Sequence, residues 1–240
     1  GRPGPVWIDI PADIQRMEIN ESELEVFVSD ESSVIVDHNL NTKVKKVVEL
    51  LKSSQRPLIH VGQGIKISKS ETDFMELVEN HNLPFVTARN ANDIVASDHR
   101  LYVGRPGTYG QRGANFAVQN SDLYLAIGTR LALAQTGYAS HDYARNARKV
   151  IVDIDQTELD KKTISADIKI QSDAKIFITE LKNQLSGMSL NTSSWIKKCQ
   201  DWKKRYPVVL SEYQKQKCPI NSYYFIDVLS SILNAADVIV

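Results

Sequence analysis

At 240 residues and 42% hydrophobic content, the chain can bury a sizeable core as one large domain or two modest ones. Its 29 basic and 29 acidic residues cancel, which argues against nucleic acid or an anionic membrane surface as the main partner. No apolar run approaches the length of a membrane span, and Cys199 and Cys218 make neither a disulfide framework nor a CxxC pair, so a reducing, cytoplasmic setting is expected.

Val6 to Ile10 reads as a strand, and Pro11 to Gln15 as the turn that leaves it. Residues 16–41 are polar, acidic and weakly periodic, which predicts a linker. Thr42 is placed to cap a helix with Val44, Val47, Val48 and Leu51 on one side and Lys43, Lys45 and Lys46 facing water. Pro57 to Val61 is the next strand. It runs into Gly62-Gln63-Gly64, a nucleotide-style turn without the third glycine of the dinucleotide fingerprint, with Ser68 as a helix cap. His60, inside that apolar run, reads as a core residue with satisfied nitrogens. A helix over Lys69 to Asn80 packs Phe74, Leu77 and Val78, Leu83 to Thr87 is a strand, and Ala88 to Tyr102 reads as irregular.

From Gly104 to Gly113 four glycines recur at a spacing of three, which predicts positive φ values or close approach by another group. The pattern then turns helical around Phe116, Ala117 and Val118. Asp122 to Ile127 reads as a buried parallel strand, ending at Gly128-Thr129-Arg130. In an open α/β sheet ligands sit beyond the carboxyl ends of strands, where Arg130 would lie, and an anion is favoured at a helix start. Neither G-x-G-x-x-G nor the P-loop spacing is present, so a phosphate-bearing ligand is favoured without being assigned, and the alternative is that the glycines only shape a tight connection.

Residues 131–148 form a long connection. Lys149 to Asp155 is a strand with two acids at its carboxyl end, where Asp155 either meets a ribose hydroxyl or starts the next turn. Ile168 to Gln171 is a short strand, and Ser172-Asp173 caps a helix carrying Ile176, Phe177, Leu181 and Leu185. Residues 186–194 read as a second linker. Trp195 to Tyr213 reads as a helix with Trp195, Ile196, Cys199 and Trp202 along its apolar stripe, its lysines and arginines forming the wet face. Asn221 leads a helix with Phe225, Val228, Leu229 and Ile232, and Asp237 to Val240 reads as a strand. Apolar strands at both ends with no partner in view lead to the expectation that the chain is an excerpt of a longer polypeptide. The five histidines are scattered, so no protein-built transition-metal site is expected.

Taken together, GRPGPVWIDIP, RPLIHVGQG, the run from Gly104 to Leu131 and KVIVDIDQTEL resemble the thiamine diphosphate enzymes of the acetolactate synthase type, over almost the whole chain. The resemblance implies an α/β fold: a Rossmann-like central domain of the DHS-like NAD/FAD-binding type, with a mostly parallel six-stranded sheet. Residues 1–15 then correspond to the tail of a pyrimidine-binding domain and 16–41 to a linker. Residues 42–186 correspond to the central domain, 187–220 to a linker with a helix, and 221–240 to the start of a pyrophosphate-binding domain.

The same resemblance implies that the parent holds thiamine diphosphate and Mg2+ on residues outside this chain, because neither the family's activating glutamate nor its GDG motif matches any residue here. The chain alone is expected to be inactive, with no catalytic residue of its own. Its partners are expected to be the pyrimidine and pyrophosphate domains of a homo-oligomeric parent, and neither nucleic acid nor a membrane. For relatives whose central domain binds FAD or ADP, the matching positions are Gly62, Gly64, Gly107, Gly110, Arg130, Asp153, Asp155 and Asp173. Thr108 and Tyr109 stand where the family's flavin-side loop has Met and His. Two alternatives remain at this point: a ligand-free scaffold, or an independent NAD-using enzyme on a similar sheet.

Overall fold

The computed structural model describes residues 3–26, 37–234 and 236–238. Six strands carry the core: β1 (Pro57–Val61), β2 (Phe85–Thr87), β3 (Tyr102–Gly104), β4 (Leu123–Ile127), β5 (Arg148–Asp153) and β6 (Ile168–Gln171). They form one sheet in the order β3-β2-β1-β4-β5-β6, and every pairing is parallel. The order reverses between β1 and β4, where the chain has passed from one side of the sheet to the other. The six-stranded Rossmann-like sheet implied by the resemblance is therefore present, with no antiparallel member among the described strands.

The helices are α1 (Leu40–Ser53), α2 (Gly64–Ile67), α3 (Glu71–His81), α4 (Arg112–Asn120), α5 (Leu133–Thr136), α6 (Gln156–Asp160), α7 (Ala174–Leu185), α8 (Ser193–Arg205), α9 (Ser211–Lys215) and α10 (Ser222–Ile232). Alternation along the strands divides the core. Ile59, Val61, Leu125, Ile127, Val150, Val152 and Ile170 meet apolar residues of α1, α3 and α7 on one face. Leu58, Tyr124, Ala126 and Ile151 meet α4, α8 and the 131–147 connection on the other. The result is a three-layer α/β/α sandwich.

Several boundaries depart from the sequence reading for identifiable reasons. α1 starts at Leu40 rather than behind Thr42, with Asn39 as its N-cap. Lys43, expected in water, instead reaches back to Asp37 at 2.5 Å and to the Lys169 carbonyl at 2.8 Å, tying the helix start to β6. Ser68 ends the four-residue α2, and Ser70 is the N-cap of α3. β3 lies at the end of the stretch read as irregular. It is three residues long, too short to show a period. The helix expected to run to Tyr213 stops at Arg205, because Pro207 follows and α-conformation is disfavoured just before a proline. Asp173 and Asn221 do cap: Asp173 accepts from Lys175 N at 2.8 Å and Ile176 N at 3.3 Å, Asn221 from Tyr223 N at 3.0 Å. Val6 to Ile10 is exposed and non-strand, and α10 has no buried residue. Of the expected terminal strand, Asp237 and Val238 are not in strand, and Ile239 and Val240 lie outside the described residues, as do residues 27–36 of the first linker.

The two halves of the sheet meet backbone to backbone. A Cβ on Gly62 would stand 2.4 Å from the Gly128 carbonyl oxygen, and one on Gly64 would stand 2.6 Å from Gly128 Cα. Gly128 itself has φ +57°, and a Cβ there would meet Gly64 Cα at 2.7 Å. Gly64 N donates to Gly128 O at 3.0 Å across this contact. Gly128→Ala is expected to cost about 3 kcal/mol in urea unfolding, since no flexible side chain is available to yield. Gly187 has φ +73° with nothing within 4 Å of a Cβ. Gly187→Ala is therefore expected to cost only the backbone term of about 1–2 kcal/mol.

Candidate functional site

The carboxyl ends of all six strands share one edge, and a cleft of about 520 Å3 opens there at the switch point. Gln63 and Gly64 from the end of β1, Asn90 from beyond β2, Arg130 from beyond β4, Asp153 at the end of β5 and Asp173 beyond β6 line it. Of the eight positions carried over by resemblance, the structure brings Gly64, Arg130, Asp153 and Asp173 together. Gly62 lies beneath the cleft, closed against Gly128 and Thr129. Asp155 is the N-cap of α6 and accepts from Thr157 N at 2.8 Å.

Gly107 and Gly110 belong to a second pocket of about 270 Å3, lined also by Arg89, Arg105, Tyr109 and Gln135. Gly107 has φ +133°, and a Cβ there would meet the Ala134 carbonyl at 2.6 Å. The loop is pinned by Asn115, whose Oδ1 accepts from Gly107 N at 2.8 Å and whose Nδ2 donates to Gly107 O at 3.0 Å. Gly113 serves helix packing, since a Cβ there would sit 3.2 Å from Lys203 N of α8. These glycines are spent on backbone proximity, so the recognising groups at this edge are side chains.

Arg130 keeps 70% of its side chain exposed, and its Nε donates to Glu158 Oε1 at 2.8 Å. Lys161 Nζ donates to Glu158 Oε2 at 2.9 Å and also to the Arg130 carbonyl. Burial would raise the Glu158 carboxyl, but the two cations outweigh it and hold its pKa below the usual value. Asp153 is 5% exposed, and its Oδ1 accepts from Asp155 N at 3.0 Å. A guanidinium in the middle of the edge and carboxylates at the β5–β6 end suit a ligand with a phosphate and hydroxyls.

Behind the edge lies a buried polar chain that sequence reasoning saw only as a core histidine. Ala132 N donates to Gln135 Oε1 at 3.1 Å, which turns Gln135 Nε2 toward His60 Nε2 at 3.3 Å. His60 Nε2 then accepts, so Nδ1 carries the proton and donates to the Tyr124 hydroxyl, which bonds Tyr143 at 2.9 Å. His60 is fully buried, and burial pushes its pKa down to about 3. Burial likewise raises Tyr124 and Tyr143 above the usual tyrosine range. Among the described residues no group of three or more His, Cys, Asp or Glu gathers for a metal, and no helix is long and apolar enough to cross a membrane.

Residues 44–181 match the family model of the thiamine pyrophosphate enzyme central domain. The chain belongs to that family. It matches acetolactate synthase large subunits across most of its length. One relative, the probable acetolactate synthase large subunit of Methanocaldococcus jannaschii, is 31% identical over 99% of this chain and 40% of its own length. The acetolactate synthase large subunit of Cyanidium caldarium is 32% identical over 91% of this chain and 38% of its own. A probable large subunit from Methanococcus aeolicus is 30% identical over 85% and 36%. The chain thus spans well under half the length of these relatives.

Because His60 is neutral when folded and titrates near its usual value when unfolded, the unfolded chain takes up a proton first as pH falls. Stability should be fully present above about pH 6.5 and decline toward pH 3, by up to about 1.4 kcal/mol per pH unit. Urea titrations of His60→Gln, compared with the parent chain, are expected to show a lower stability at pH 7 and a shallower slope below it.

Proposed function

We propose that this chain is the central domain of an acetolactate synthase-like thiamine diphosphate enzyme and that its cleft takes a nucleoside diphosphate, as ADP or as the ADP half of FAD. The observation that carries the ligand reading is Arg130 between Gly64 and the Asp153–Asp173 end of one cleft. A guanidinium can grip a diphosphate through two charge-assisted hydrogen bonds, and a carboxylate accepts from a ribose hydroxyl. The independent NAD-using enzyme fits less well, because the turn lacks its third glycine and leads into a helix of only four residues. A ligand-free scaffold that holds the parent's two catalytic domains in register is the alternative the cleft argues against.

In this reading residues 42–186 form the central domain, with the tail of the pyrimidine domain before residue 16 and the start of the pyrophosphate domain after residue 220. Thiamine diphosphate would supply the carbanion chemistry for a 2-oxo acid in a homo-oligomeric, cytoplasmic parent. Its Mg2+ and its activating carboxylate come from outside this chain. The residues here do not fit that cofactor, since the donor set at the edge is an arginine with two separated aspartates rather than a pyrophosphate–metal motif. No catalytic step is assigned to them.

Two measurements test the reading. Titration calorimetry of this chain with thiamine diphosphate and Mg2+ is expected to be flat, and micromolar binding would refute the assignment of that site elsewhere. With ADP, binding is expected, and Arg130→Ala should weaken it by about tenfold or more. The melting temperature without ligand should change little, because the partner Glu158 keeps Lys161. A large loss of stability with no ADP binding by the unmutated chain would make Arg130 a structural clamp for α6.

A further inference from the structure

We infer that Arg89 and Arg105 form a separate phosphate subsite at the β2–β3 end of the edge. Both line the 270 Å3 pocket over the Gly107–Gly110 loop, and among the described residues no carboxylate lines it. Neither guanidinium has an ion pair or hydrogen bond with any described residue, whereas Arg130 is offset by Glu158 and Arg148 by Asp167 at 2.7 Å. The two cations come from adjacent parallel strands, Arg105 directly after β3 and Arg89 just past β2. Like charges held in one pocket repel, and a doubly charged oxyanion between them converts that repulsion into two charge-assisted contacts.

The frame around them is fixed before any ligand arrives. Arg105 N donates to Gln111 Oε1 at 2.9 Å, and Thr108 N donates to the Ala134 carbonyl at 2.9 Å. Gln135 turns its amide inward to Ala132, His60 and Thr129. The Arg105, Gly107, Thr108 and Gly110 backbone amides and the Gln135 side-chain amide are thus already engaged, and among the described lining residues the two arginines and the exposed Tyr109 carry side-chain donors with no hydrogen-bond partner. That composition selects a compact, strongly anionic group such as phosphate or pyrophosphate, and disfavours a neutral apolar ring.

The edge is polarised as a whole. In sheet order it runs Arg105, Arg89, the glycine turn of β1, Arg130, Asp153 and Asp173. A nucleotide with its ribose toward the aspartates would direct its terminal phosphate toward Arg89, a placement that rests on the nucleotide reading above. The subsite itself does not need that reading.

The test is calorimetry on the full chain at low ionic strength, with inorganic phosphate, pyrophosphate and ADP as probes. Arg89→Gln, Arg105→Gln, their double variant and Arg130→Gln are compared. Pyrophosphate is expected to bind and to weaken as salt rises. The double variant should lose about tenfold or more, and a larger loss in Arg130→Gln than in the double variant would put the anion in the Arg130 cleft and overturn the inference. If the double variant also weakens ADP, the phosphate is the end of a nucleotide; if ADP is unaffected or does not bind, the subsite takes the free anion. Thermal upshift by pyrophosphate in each single variant gives a second readout should the double variant not fold. The inference is overturned if neither phosphate nor pyrophosphate binds the unmutated chain, or if the arginine variants bind it equally well.

Discussion

The structure depends on one close contact, the meeting of Gly62 and Gly64 with Gly128 where the strand order reverses. At a switch point the connections leaving β1 and β4 depart to opposite faces, and a crevice opens between them. Here the crevice can form only because three residues without side chains let two turns cross at sub-van-der-Waals distance for any Cβ. The parallel register continues through it: Gly62 N donates to Ile127 O at 3.1 Å and Gly128 N to Val152 O at 2.9 Å. The contact thus extends the β1–β4–β5 ladder one residue past the strands and fixes where Arg130 and Asp153 emerge.

This constraint changes what the glycines mean. A glycine-rich turn read from sequence leaves two explanations, approach of a ligand phosphate or approach of the chain to itself. The atoms that a Cβ would strike are protein backbone at Gly62, Gly64, Gly107, Gly110 and Gly113, which selects the second. Recognition then falls to charged side chains at strand ends, where every strand but β1 contributes one. The buried chain of Gln135, His60, Tyr124 and Tyr143 supports that arrangement from below. It satisfies every polar group it buries and orients the amide of Gln135 away from the pocket it lines.

Much of the fold was legible because its strands are short apolar runs bounded by glycine, and its long helices show a clean three-to-four spacing. Val44, Val47, Val48 and Leu51 all proved to be buried, as did Phe74, Leu77 and Val78. What was not legible was non-local. Nothing around Tyr102 marks β3, whose strand character comes from pairing with β2. Lys43 reads as a surface lysine until Asp37 and β6 are placed beside it. At the site, Arg130 could be found from its position after an apolar run, whereas Arg89 and Arg105 could not. Their significance requires knowing that β2 and β3 are neighbours and that, among the described residues, no carboxylate lines the pocket they share. Asp155 was ambiguous because a strand-end acid and a helix N-cap are the same residue type at the same place.

The role of α8 follows from the second face of the sheet. Leu58, Tyr124 and Ala126 are fully buried there, with α4 covering only part of them. The remainder is closed by the 131–147 connection and by α8, which lies beyond the residues matched by the family model. Trp195 of α8 is 3% exposed and its indole donates to the Pro57 carbonyl at the start of β1 at 3.0 Å. Cys199 is fully buried, and burial pushes its thiol up to about 12, so it acts as an apolar filler rather than a reactive group. Gly113 lets α4 and α8 approach backbone to backbone, and Arg112 of α4 lies 4.4 Å from the Tyr206 ring just past α8. Deleting a buried tryptophan alone typically costs about 3–5 kcal/mol, which is a large part of the stability of a domain this size. By that argument α8 is a structural layer of the sandwich, packed onto the second face of the domain proposed for residues 42–186.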